Sequence, residues 1–483
     1  MSTARLSPTI PATLLTALER LLGPGGMRTD PADTAPFATD WRGLYRGRTP
    51  AVLRPATVAE VAACVRLAAE ARVALVPQGG NTSMVGGAVP AEDGSELVLS
   101  LSRLTRVRAL DPLDLTLTLE AGVTLKAAQE AAAAAGLWLP LSIASEGSAE
   151  IGGVLATNAG GNNTLRFGNA RERVLGLEVV LADGSIWNGL RRLRKDNTGY
   201  CLRQIFVGSE GTLGIITAAV LRLEPEPAER AAAFVGLSTP EAALALLGRL
   251  QRHDAAALVA FEYMSAAGIA LVLEQIPGTR LPLAASAPHY ALMELASPRA
   301  GSGLAEGLET ALADALEAGE ITDAALAASE AQRAQFWKLR EEHSEAQKRA
   351  GASVKNDISV PVPAIPELLR RGAAAARAIV PDVRVAPFGH LGDGNIHFNL
   401  VQPDGVTPEV FLAESEALME AINEVVLSLD GSFSAEHGLG RLKPPMLARW
   451  RGEIELSLMR RIKAALDPDG LLNPGKVLPR VQS

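Results

Sequence analysis

The chain has 483 residues, too many for one hydrophobic core of ordinary size, so two domains with room for a small third element are expected. Hydrophobic residues make up 48%, aromatic residues only 4%, and the formal net charge is −8. That balance excludes a nucleic-acid binder built on stacked aromatics and a cationic surface, but not a small anionic substrate held in a local basic pocket. Cys64 and Cys201 lie far apart without a CxxC motif, which fits a reducing compartment and two buried small hydrophobes. Residues 1–12 show no basic stretch followed by an apolar one, and charge-free runs such as 131–145 are too short for a membrane span. The expectation is a soluble cytoplasmic protein.

In chain order, the pattern begins with a strand at 51–54, a capping box from Thr57 to Glu60, and a strand at 73–76. Between them Val61, Cys64, Val65 and Ala68 follow helical spacing and form a buried stripe. Strands are predicted at 97–101 and 116–120, then a helix over 124–135. Segments 174–181 and 185–187 flank Asp183-Gly184, a hairpin signal. With two prolines and alternating charge, 223–230 reads as a linker. Beyond it come longer Ala/Leu/Glu helices, such as 240–250 and 302–318, mixed with short strands. A last helix over 453–466 stops at Asp467-Pro468-Asp469-Gly470. The fold class is α+β, divided as 1–228, 229–430 and 431–483.

Three glycine-rich loops punctuate the first half, at 77–82, at 147–153 continuing to 158–161, and at 208–214. Glycines let backbone N–H groups approach and cradle an anion such as pyrophosphate. None matches G-x-G-x-x-G after a strand or G-x-x-x-x-G-K-[ST], so neither a Rossmann dinucleotide fold nor a P-loop is supported. One such loop alone is a tight turn. Three in one domain suggest a large phosphate-bearing cofactor.

The second half carries two histidine segments, 389–399 and 436–438. His390, His397 and Glu436 supply two nitrogens and an oxygen, the shell of a catalytic zinc with an open fourth position, and equally the facial triad of a non-haem iron site. His437 is left over to move a proton. A strand over 396–400 would put His397 and Asn399 on one face and Ile396 and Phe398 in the core. Arg340 and Ser344 are four apart on a predicted helix and would share a face, where a guanidinium fork could bind a carboxylate. Glu341, Glu342 and Glu345 surround them, so a solvated helix face accounts for the same residues. Lys355, in a strand-like stretch, reads by itself as a solvated lysine.

The runs PQGGNTSMVGG, IGGVLATNAGG, NTGYCLRQIFVGSEGTLGIIT, GHLGDGNIHFN and EHG, with the C-terminal NPGK, together resemble the vanillyl-alcohol-oxidase type of flavoproteins. Within that group the chain resembles the FAD-dependent D-2-hydroxyacid dehydrogenases from about Trp41 onward. The resemblance implies an FAD domain of two α+β subdomains, a cap domain with an antiparallel sheet, and a C-terminal segment returning to the flavin. FAD would meet Pro77, Gly79, Gly80, Asn81 and Thr82, then Gly147, Ser148, Gly152, Asn158 and Gly161, then Glu210, Gly211 and Ile215, with Asn473 from the tail. Asn81 stands where some relatives carry a flavin-linking histidine, so FAD would be held non-covalently.

By the same resemblance a divalent metal, with zinc the first choice, would sit on His390, His397 and Glu436, and His437 would be the general base. Arg340, Ser344, Lys355 and Asn399 would bind substrate. Arg340, Ser344 and Lys355 match the Arg, Thr and Lys of the branch that oxidises D-2-hydroxyglutarate. D-lactate enzymes generally lack that lysine, so a second substrate carboxylate is favoured. The alternatives are a D-lactate or glycolate dehydrogenase, or a non-redox flavin-dependent transferase on the same scaffold. An electron-transfer flavoprotein or a quinone would accept the electrons, and a homodimer is the family expectation.

Overall fold

The computed structural model describes residues 6–7 and 9–479, so half of the first twelve residues, where a leader would be sought, lie outside the described residues. The chain divides into two compact units: Met1–Gly160, Gly168–Glu226 and Glu436–Ser483 form one, Gly161–Phe167 and Pro227–Ala435 the other. The crossing points are 226/227 and 435/436, beside the 228/229 and 430/431 read from sequence. The seven residues 161–167 go with the second unit, although no shift in composition separates them from their neighbours.

The first unit holds two sheets. In the smaller, Val52–Leu53, Glu96–Ser100 and Ala74–Gln78 run parallel in that order, with Met27–Arg28 antiparallel at the edge. The Val58–Ala71 helix buries Val61, Cys64, Val65 and Ala68, the stripe its spacing predicts. Its cap forms as expected: Thr57 Oγ1 accepts the Glu60 N–H at 3.2 Å, while Glu60 reaches back to the Ala56 N–H at 2.7 Å. The larger sheet is antiparallel, in the order Val107–Asp111, Thr116–Glu120, Ile215–Arg222, Val174–Val180, Ile186–Gly189. Its last two strands are the hairpin turned at Asp183-Gly184, where Gly184 takes φ +77°. Cys64 is buried, but Cys201 is exposed, contrary to the reading of both as core residues.

The C-terminal stretch is part of this unit. Leu75 N–H donates to Leu471 O at 2.9 Å and Asn473 N–H donates to Leu75 O at 2.8 Å, adding Leu472 as a parallel partner to the edge of the smaller sheet. Leu471 and Leu472 join the core of Val61, Cys64 and Leu99. Half of the expected linker at 223–230 is strand: Glu224–Pro225 pairs with Leu137–Trp138, and Glu229–Leu237 has already begun. Pro225 is tolerated because this two-stranded edge asks little of a backbone donor.

The second unit is built on a seven-stranded antiparallel sheet, in the order Asp323–Leu326, Glu229–Leu237, His289–Ser297, Leu258–Ser265, Phe388–Gly389, Asn395–His397, Asp357–Ser359. Both faces are covered. Along His289–Ser297, Ala291, Met293 and Leu295 enter one core with Pro240–Asp254 and Leu304–Glu317, while Tyr290 and Leu292 enter the other with Ala266–Gln275 and Glu330–Glu341. Among the described residues no helix is long and apolar enough to cross a membrane.

Candidate active site

In the first unit the glycine-rich loops at 77–82 and 147–153 meet backbone to backbone. A Cβ on Gly80 would stand 1.8 Å from Ser148 O, so only glycine permits the approach. Gly79 faces the Glu150 side chain and Gly152 lies against Ala121. Asn81, at φ +53°, donates through Nδ2 to Thr39 O at 2.8 Å and Pro36 O at 3.2 Å, which pins the first loop to the end of the Pro31–Ala38 helix. Thr82 is half-buried beside it, and Gly147 and Ser148 are exposed at the rim of the second loop. Asn158, at φ +52°, accepts the Arg171 N–H, whereas Gly161 belongs to the other unit.

Gly211, at φ +70°, packs on Pro77, but the Ile215 side chain is fully in the core, so it offers a cofactor no side-chain surface. The Glu210 carboxylate accepts the N–H groups of Leu439 and Gly440, each at 2.8 Å, and so clamps the turn that follows Glu436-His437. Burial pushes the Glu210 carboxyl above its usual range, with the two amides pulling the other way. Asn473 donates to Glu210 O and Gly87 O, leaving its Oδ1 buried with no partner among the described residues. Glu436 sits against Gly160, where a Cβ would be 2.6 Å from the carboxylate Oε1.

The second unit contains an anchor that the sequence reading missed. Glu262 is fully buried in the Leu258–Ser265 strand, where Arg340 Nε donates to its Oε2 at 2.6 Å and His390 Nδ1 lies 2.7 Å from its Oε1. Burial alone would raise this carboxyl, but Arg340 and His390 outweigh it and hold it down at about 2. An ionised carboxylate only accepts, so His390 donates to it from Nδ1, which leaves Nε2 as the nitrogen for a metal, the arrangement second-shell carboxylates impose on metal-binding histidines. The signal was available: a glutamate alone in the run LVAFEYMS has no other reason to be there.

Arg340 lies under this carboxylate with its guanidinium over the Phe388 ring at 4.9 Å. It does not share a helix face with Ser344. The helix Glu330–Glu341 ends at Glu342, His343–Arg349 starts anew, and Arg340 is 5% exposed while Ser344 points to solvent. Nor do His397 and Asn399 share a strand face. Asn395–His397 stops where the Asn399 N–H donates to His397 O at 2.9 Å, and Leu400–Val401 joins a different sheet. Ile396 and Phe398 are buried as predicted, and Asn399 Nδ2 donates to Gln347 Oε1.

The His390 and His397 rings stand edge to face, 5.8 Å apart. Asp357, which pairs with His397 across the sheet, brings its carboxylate to 3.8 Å from His397 Nδ1, a second residue the sequence reading passed over. Lys355 is half-buried two residues before it. Ala435 N–H donates to Asp357 O at 3.3 Å.

Two family models cover the chain: an FAD binding domain matches 49–189, and the C-terminal domain of FAD linked oxidases matches 226–477. The chain belongs to the FAD-linked oxidases. Relatives of this FAD-linked oxidase include a mitochondrial D-2-hydroxyglutarate dehydrogenase of Bos taurus, 41% identical over 96% of this chain and 83% of the relative. A D-2-hydroxyglutarate dehydrogenase of Xanthomonas citri is 38% identical over 93% and 94%. A putative mitochondrial D-lactate dehydrogenase of Schizosaccharomyces pombe is 37% identical over 93% and 85%. Among solved structures, p-cresol methylhydroxylase superposes with a TM-score of 0.75 at 16% identity, covering 99% of this chain and all of that one. Alkyldihydroxyacetonephosphate synthase gives 0.74 at 17%, covering 99% and 88%. They establish the vanillyl-alcohol-oxidase type of fold. The first unit's residues fit FAD: side-chain-free backbone at Gly79 and Gly80 is bordered by Glu150 Oε2, a buried polar atom with no partner among the described residues, and Asn473 Oδ1, from the tail of the same unit, is a second such atom.

Proposed function

We propose that this FAD-linked oxidase oxidises D-2-hydroxyglutarate, or a close D-2-hydroxy dicarboxylate, to the 2-oxoacid. The observation that carries the reading is Glu262, one buried carboxylate that fixes both a carboxylate-binding arginine and a metal-facing histidine. Full-length relatives bearing that enzyme's name support the choice of substrate. Bound FAD, held non-covalently by the loops that Asn81 pins, supplies the hydride acceptor for substrate C2. His390, His397 and Glu436 would hold a divalent cation, with Asp357 as a further carboxylate, and zinc suits that donor set.

This chain's own residues then bind and orient the substrate. Arg340, with Nε on Glu262, keeps the rest of its fork for the substrate's 1-carboxylate, and Asn399, with one amide hydrogen on Gln347, offers the other. Lys355 reads the second carboxylate. Ser344, on the solvent side of its helix, is left out of the pocket. His437 takes the proton of the 2-hydroxyl as general base, on a turn fixed by Glu210. The reading includes an external electron acceptor, an electron-transfer flavoprotein or a quinone, and a homodimer in the cytoplasm.

An anaerobic visible spectrum before and after adding D-2-hydroxyglutarate, D-lactate or the L-enantiomer tests it. Bleaching of the flavin by the D-dicarboxylate alone is expected. Bleaching mainly by D-lactate would favour the second reading, for which the relative from Schizosaccharomyces pombe speaks. A flavin that no hydroxyacid bleaches would point instead to non-redox chemistry.

A further inference from the structure

Glu150 was given no role by the sequence, yet it lies inside the matched FAD binding domain, within the second of its glycine-rich loops. It is 8% exposed, and although it precedes the short helix Ile151–Ala156, its side chain caps nothing. Its main chain bridges to Thr124, which fixes where the side chain starts. Oε2 is buried without a partner among the described residues, and it lies 3.4 Å from the place a Cβ would take on Gly79. The carboxyl therefore opens onto the bare backbone of the 77–82 loop, next to the approach of Gly80 to Ser148 that excludes any side chain.

A buried carboxyl oxygen left unsatisfied is costly, and native proteins seldom leave one without a ligand or an ordered water to meet it. Burial, the one cause acting on Glu150, pushes its pKa up to about 8. It therefore carries its proton near neutral pH and is a hydrogen-bond donor. In that form it adds no negative charge beside a cofactor that bears a pyrophosphate.

We propose that Glu150 is a cofactor-binding residue whose carboxylic acid donates a hydrogen bond to an acceptor atom of FAD. The inference rests on FAD binding by these loops and adds the group that reads the cofactor there by side chain.

The test is titration of the full-length chain, stripped of flavin, with FAD, followed by flavin fluorescence, for wild type, Glu150→Ala, Glu150→Gln and Glu150→Leu. Loss of one hydrogen bond predicts roughly tenfold weaker binding for Ala and Leu. Gln keeps an N–H donor of similar reach and should stay within about threefold of wild type. Leu is close in size and keeps the comparison valid if the Ala variant does not fold. Unchanged FAD affinity in Ala and Leu would overturn the proposal and leave Glu150 to a buried water. Equal loss in Gln and Leu would overturn the donor role. Wild type that binds no FAD at all would instead remove the reading of the loops on which this rests.

Discussion

At the scale of single residues, Glu262 carries the most weight and makes the sharpest prediction. It is the shared partner of Arg340 and His390, and breaking a buried ion pair from one side costs about 3–5 kcal/mol because the remaining charge is stranded. Glu262→Gln should lower the urea midpoint clearly, raise KM for the hydroxyacid and weaken retention of the metal, since His390 Nδ1 loses its ionised acceptor. Wild-type stability and KM in that variant would show that the carboxylate organises nothing. Lys355→Ala should raise KM for dicarboxylates at least tenfold and leave D-lactate within about twofold, as loss of a charge-assisted hydrogen bond predicts. Equal losses would mean that Lys355 does not read the second carboxylate. Residue types at this site were legible in the sequence: His390, His397, Arg340 and Lys355 are all found in one unit. Their partners were less so. Glu262 and Asp357 are brought to the histidines by sheet register, and register is a long-range property that no local motif records.

At the scale of elements, local rules succeeded where the stabilising group is local. The Thr57 cap, the Asp183-Gly184 hairpin and the stop at Asp467 each depend on atoms within a few residues. The two failures are breaks inside a continuing pattern. Apolar spacing runs on through Glu342 and through Phe398, yet at each the backbone turns to deliver the next segment to a different neighbour. Helix His343–Arg349 shows what such a turn can bury. His343 is fully enclosed, its Nδ1 on Leu339 O, its Nε2 without a partner among the described residues, and its ring 4.7 Å from that of Phe388. Burial first, then the Arg340 charge, pushes its pKa down to about 3. The folded chain thus stays unprotonated where an unfolded chain, with an ordinary histidine, binds a proton. Below about pH 6.5 the unfolded state gains protons, so stability falls as pH falls, at up to about 1.4 kcal/mol per pH unit until about pH 3. Urea unfolding at pH 7 and pH 5 should show this loss in wild type and a smaller one, by about 2 kcal/mol, in His343→Leu. The same pH dependence in both proteins would mean that His343 is not buried neutral.

At the scale of the whole molecule, the FAD unit is assembled from three separated stretches, and the last supplies structure as well as site residues. Composition and glycine loops located the first two. The return of the tail was legible only through family resemblance, because a two-residue parallel pairing such as that of Leu471 and Leu472 with Leu75 leaves no periodicity. What directs the return is Asp467. Its carboxylate, 2% exposed, accepts the N–H groups of Leu471 and Leu472 at 2.8 Å each and faces the Lys463 ammonium, which also donates to Thr212 O and Leu472 O. Burial lowers the lysine's pKa, and Asp467 opposes that shift. Asp467→Ala removes the acceptor of two buried amides and strands a largely buried cation, so a loss of about 3 kcal/mol or more is expected. The tail carries Asn473, which ties Gly87 to Glu210, so loosening it should also slacken the loops on which FAD depends. FAD titration should therefore show affinity falling together with the urea midpoint, although residue 467 is hundreds of positions from the first two glycine-rich loops. A variant with the lower midpoint but undiminished FAD affinity would show that the tail stabilises the unit without shaping its cofactor site.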